Sequence, residues 1–136
     1  MEKITREEFV KKAIDMLARN ELKTLPSKMK NRLIFLYLFV QNMDATTYTE
    51  KEVNELIKAT LSKMPQVYLD HVRVRRALID YGFLERTDNG AVYTFSKDTD
   101  IFKLFPDEID EVDVFEEIEN YFKNALERKR KHIKPC

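Results

Sequence analysis

The 136-residue chain is 43% hydrophobic and 35% charged, with 24 basic and 24 acidic side chains. A chain of this length forms one domain that buries about two thirds of its unfolded surface, so it needs no covalent staple. Its one cysteine, Cys136, excludes an internal disulfide and a cysteine-held metal cluster, and it fits a reducing, cytoplasmic setting.

Only two glycines and four prolines occur, which favours long helices over irregular loops. Met1-Glu2-Lys3-Ile4 leads directly into charged residues, so no signal peptide is expected. Thr5 and Glu8 have the spacing of a capping box, and Phe9, Ala13, Met16 and Leu17 recur at helical steps. This predicts a helix from about Arg6 to Asn20. Pro26 disfavours helical geometry at Leu25, and Ser27 is a favourable N-cap. A second helix is predicted from about Lys28 to Gln41. It holds the longest apolar run, Leu33 to Val40, far short of the ~20 residues that span a bilayer. It reads as a core helix buried on more than one side, and no membrane partner is expected.

Thr49-Glu50-Lys51-Glu52 repeats the capping-box spacing, and Val53, Leu56, Ile57 and Leu61 form the apolar face of a third helix. Met64-Pro65 ends it. Asp70 caps the next helix, predicted over about Val72 to Tyr81. Val74, Leu78 and Tyr81 align on one side of that helix with Ala77 beside them. Arg73, Arg76 and Asp80 lie on the other side, and Arg75 lies on the flank. Gly82 supplies the stop. Phe83 to Thr87, Asp88-Asn89-Gly90 and Ala91 to Phe95 read as strand, turn and strand, with Asn89-Gly90 favouring a type I′ turn. Ser96 to Pro106 is a polar connection with an apolar anchor in Ile101-Phe102 and Leu104-Phe105. A last helix is predicted from Asp107 or Asp110 to Lys131, with Val112, Phe115, Ile118, Phe122 and Leu126 at three- and four-residue steps.

Helix, helix, hairpin is the order of a winged helix-turn-helix. The expected fold class is therefore mainly α with a small β-hairpin. A winged-helix-like domain spans 25–97, an N-terminal helix precedes it in 1–24, and an acidic connection with a C-terminal amphipathic helix follows in 98–136. Residues 25–97 carry 11 basic and 8 acidic side chains, 98–122 carry 1 and 10, and 123–136 carry 6 and 1. Acid at the front of the last helix and base at its end both complement the helix dipole. A sharper alternative is an acidic strip that mimics DNA and competes for the arginine helix.

This pattern directs attention to nucleic acid. Arginines on an outer helix face reach phosphates or pair bidentately with guanine in the major groove. Arg73, Arg75 and Arg76 have the type and position for that role. Arg86 and Asn89 would act from the wing, and Lys28, Lys30 and Arg32 from the start of the second helix. Against this stand an Arg76–Asp80 pair at i,i+4, the glutamates Glu50, Glu52 and Glu55 on the preceding helix, and the zero net charge. Catalysis has little support. His71 and His132 are the only histidines and neither belongs to a metal-ligand spacing, so no metal is expected. No glycine-rich phosphate loop or dinucleotide fingerprint occurs, and no cofactor is expected. The apolar stripes of the first and last helices need cover, either from the central domain or from a second copy in a homodimer.

The chain resembles the bacterial domain-of-unknown-function family 2087 (DUF2087). The residues that carry the likeness are Leu25-Pro26-Ser27-Lys28 with Lys30 and Arg32, Tyr48-Thr49-Glu50-Lys51-Glu52-Val53-Asn54, Asp70, Arg75-Arg76, Leu78-Ile79-Asp80-Tyr81-Gly82, Leu84-Glu85-Arg86, and Gly90 with Tyr93. Val74 stands where the family more often has leucine, a change that keeps the position apolar. The resemblance implies a winged-helix-type domain, found alone or behind the DNA-binding domain of bacterial regulators. It assigns no catalytic residues. The expectation is a non-enzymatic cytoplasmic regulator of transcription that binds double-stranded DNA. The alternative is a protein-interaction module that uses the arginine-helix surface, with an RNA-binding adaptor as a third reading.

Overall fold

The computed structural model describes residues 2–44 and 46–132, and the side chains as far as Arg130. Cys136 and the end of the basic tail lie outside them. Among these residues are five α-helices: α1 (Arg6–Leu17), α2 (Met29–Val40), α3 (Glu50–Leu61), α4 (His71–Asp80) and α5 (Val114–His132). A three-stranded antiparallel sheet is built from β1 (Thr47–Thr49), β2 (Glu85–Arg86) and β3 (Val92–Thr94), with β3 in the middle. Tyr48 lies opposite Tyr93, and Arg86 also pairs with Tyr93. The fold is thus mainly α with a small sheet, in the order helix, helix, strand, helix, helix, hairpin, helix.

Local chemistry sets most helix starts. Thr49 Oγ1 accepts from Glu52 N–H at 3.1 Å while Glu52 Oε1 accepts from Thr49 N–H at 2.9 Å, a complete capping box. The Thr49 backbone N–H, and then its hydroxyl, hold the Glu52 carboxyl below its usual range. The box at α1 is half made. Thr5 accepts from Glu8 N–H at 3.1 Å, but the Glu8 carboxylate turns to Lys30 on α2 at 3.0 Å. Asp70 caps α4 by accepting from Arg73 N–H at 2.8 Å. Lys28, not Ser27, stands at the N-cap of α2, without a side-chain capping bond. At the end of α4, Gly82 has φ +85°, Gly82 N–H bonds to Ile79 O and Phe83 N–H to Leu78 O, which is a Schellman stop. The buried pair Phe83 and Leu78 completes it.

Two further expectations change. The hairpin turn is not type I′, because only Gly90 has positive φ (72°). The Asn89 side-chain oxygen instead accepts from Thr87 Oγ1 at 2.7 Å and Ala91 N–H at 3.0 Å, and Gly90 N–H closes onto Thr87 O at 2.8 Å. The last helix starts later than expected, at Val114. Residues Asp107–Glu111 form a 3-10 turn, and Asp113 Oδ1 caps α5 through Phe115 N–H at 3.1 Å and Glu116 N–H at 3.2 Å. A second 3-10 turn spans Asp100–Leu104.

One core runs through the molecule. Every residue of α2 from Leu33 to Val40 is buried, so this helix is covered on all sides. Ile4, Phe9 and Ala13 from the first segment and Phe102, Phe105 and Ile109 from the connection join it. Tyr37 stacks on Phe105 with ring centres 4.0 Å apart and takes the edge of Phe9 at 5.8 Å. Phe102 meets Phe83 and Phe95, each at 5.5 Å. The connection is pinned at its polar end as well. The Tyr37 hydroxyl donates to Asp110, Lys97 pairs with the same carboxylate at 3.2 Å, and Gln41 donates to Ile109 O and Val112 O at 3.0 and 2.7 Å. Burial, then the hydrogen bond to Asp110 and the charges of Asp110 and Asp107, push the Tyr37 hydroxyl pKa well above its ordinary value.

Candidate nucleic-acid interface

Helix α4 packs on α3 through Val74, Ala77 and Leu78, which are buried. That orientation turns Arg73, Arg76 and Asp80 to solvent. Arg73 and Arg76 make no ion pair or side-chain hydrogen bond among the described residues, and the i,i+4 pair of Arg76 with Asp80 does not form. Helix rise puts the two arginines about 4.5 Å apart along the axis, both clear of the core.

Arg75 does a different job. Its side chain is only 13% exposed. The guanidinium donates to Asn54 Oδ1 at 2.5 Å and pairs with Glu50 Oε1 at 3.3 Å, both on α3. The Tyr93 hydroxyl donates to the same Glu50 oxygen at 3.1 Å. Glu50 therefore ties α4 to the central strand, and Arg75 fixes the angle between α3 and α4. These partners lie 21 and 25 positions upstream of Arg75. Helical spacing puts Arg75 on the flank of α4 and carries no signal for where that flank lands.

The earlier cations divide the same way. Lys30 is held by Glu8. Arg32 donates from Nε to Pro26 O at 2.8 Å and from Nη1 to the Tyr81 hydroxyl, with its guanidinium 5.6 Å from the Tyr81 ring centre. It joins the start of α2 to the end of α4. Lys28 is exposed at that same start of α2. On the wing, Arg86 is exposed on β2, whereas Asn89 spends its side-chain oxygen on the turn. Of the eight candidates, Lys28, Arg73, Arg76 and Arg86 present free cationic ends among the described residues. Lys30, Arg32, Arg75 and Asn89 hold the scaffold.

Helix α5 packs against α1, and the 3-10 turn before it also meets α1. No group of three or more histidine, cysteine, aspartate or glutamate side chains placed to hold a metal ion occurs among the described residues. No helix among them is long and apolar enough to cross a membrane.

A helix packed against a second helix beside a three-stranded antiparallel sheet with a short hairpin is an arrangement compatible with a winged-helix-like fold. The profile of DUF2087, described as an uncharacterized protein conserved in bacteria, matches residues 21–95, and the chain belongs to that family. No similar protein was found among the curated proteins or the solved structures.

Proposed function

We propose that this protein is a cytoplasmic transcriptional regulator that binds double-stranded DNA through α4 and the β2–β3 hairpin, and acts by binding, not by catalysis. The observation that carries this reading is the pair Arg73 and Arg76, unpaired on the outer face of a helix in recognition-helix position. In helix-turn-helix docking the first turns of that helix enter the major groove. Arg73 sits in the first turn of α4 and Arg76 one turn on. Arg86 on the wing and Lys28 at the start of α2 would contact phosphates. Arg75, locked to α3, would set the angle at which α4 is presented.

Four free cations predict a salt dependence with a slope of about −3.6 in log affinity against log salt. Fluorescence anisotropy with a random duplex between low and moderate salt measures it. Arg73→Ala with Arg76→Ala would lower the slope by about 1.8. Absence of binding to any duplex at low salt overturns the proposal. One observation favours a second reading, a module that binds another protein. Asp70, Asp80, Glu85 and Asp88 are exposed among the four cations, so the face is not uniformly positive. Binding that barely responds to salt supports that reading.

A further inference from the structure

The second half of α5 leaves the body with its apolar stripe uncovered. Phe122 is 48% exposed and Leu126 54% exposed, while Phe115 and Ile118, earlier in the same stripe, are partly covered. Beside those earlier residues runs an open groove lined by Leu17, Pro65, Phe115 and Ile118 with the carboxylates of Asp113, Glu116 and Glu119. Lys63 also borders it, its ammonium 5.3 Å from the Phe115 ring centre. The groove is apolar with an acidic rim. The exposed end of α5 is apolar with a basic rim, given by Lys123, Lys129 and Arg130.

We propose that α5 is a self-complementary dimer interface, in which the basic end of one copy lies antiparallel in the acidic groove of the other. A two-fold axis near Phe122 sets Ile118 opposite Leu126 of the second copy. Glu116 and Glu119 then lie on the same flank as Lys123 and Arg130 of the second copy, so two sets of opposite charges meet. None of these four charged side chains has an ion-pair partner within the chain among the described residues. The helix dipole explains acid in the first turn and base in the last, since its effect fades within one turn. It explains neither Lys123 in mid-helix nor the exposed Phe122 and Leu126. A symmetric pairing explains all three, as an isologous contact uses one patch twice.

The interface stands apart from the DNA reading, because its test contains no nucleic acid. Sedimentation equilibrium of the full chain is expected to give twice the monomer mass of 16.2 kDa. Phe122→Glu and Leu126→Glu, both at exposed positions, should return it to 16.2 kDa while the far-ultraviolet circular dichroism of the folded chain is kept. Glu116→Lys with Glu119→Lys should weaken the dimer at least tenfold, and so should Lys123→Glu with Arg130→Glu. All four together should restore it. A monomer at every concentration overturns the proposal. So does a dimer indifferent to Phe122→Glu, which would use another face, or a fourfold variant that stays weakened, which would rule out the antiparallel register.

Discussion

Replacing Arg75 with alanine tests whether this arginine builds the domain or reads a ligand. In the wild type its guanidinium is nearly enclosed, bonded to Asn54 at 2.5 Å and to Glu50 at 3.3 Å. Losing a hydrogen bond from a charged donor costs about 1.5–3 kcal/mol. Glu50 is 49% exposed, so solvent screens the ion pair, which adds about 0–1 kcal/mol. Arg75→Ala should therefore destabilise the protein by about 2–3 kcal/mol. With a urea m-value of about 2 kcal/mol/M, the unfolding midpoint followed by far-ultraviolet circular dichroism falls by about 1–1.5 M. Arg73→Ala and Arg76→Ala, on the open face, should each stay within about 0.5 kcal/mol of wild type. A double-mutant cycle with Asn54→Ala isolates the contact, and a coupling of about 0.5–3 kcal/mol is expected. An Arg75→Ala midpoint equal to wild type together with a loss of DNA affinity would mean that Arg75 acts on a ligand and not on α3.

Other perturbations check the rest of the frame. The Arg73→Ala, Arg76→Ala double variant should lose DNA affinity at a fixed low salt with an unchanged urea midpoint; equal affinity would mean that another face binds. The Tyr37 hydroxyl is held above its ordinary pKa near 10, so the unfolded chain ionises first. Its contribution is fully present below about pH 10 and fades as pH rises beyond that; melting temperatures at pH 9 and 11 should show a smaller drop in Tyr37→Phe than in wild type. The Glu52 carboxyl is held below its ordinary value of 4.5, so its contribution is present above that pH and is lost as pH falls through the lowered pKa. Glu52→Gln should flatten the acid limb of the stability profile, and an unaltered limb would remove Glu52 from that role. Thr49→Ala, which deletes the hydroxyl half of the capping box, should cost about 1 kcal/mol in urea unfolding.

The sequence determined what depends on neighbours within a few residues. Thr49 and Glu52 are three apart, so the start of α3 could be read from the string alone. Asp70 before α4, Gly82 after it and the unbroken apolar run of α2 are likewise local facts. The order of helices and hairpin followed from them, and the family likeness rested on the same central stretch. The tertiary structure decided which charged groups remain free. Arg73, Arg75 and Arg76 are equivalent as letters, but a helix turns 100° per residue, and only packing says which flank meets α3. The partners of Arg75, Lys30 and Arg32 lie 25, 22 and 49 positions away, at Glu50, Glu8 and Tyr81. Strand β1 stayed hidden for the same reason. Three residues with no apolar alternation become a strand only because the edge of β3 is there to pair with them.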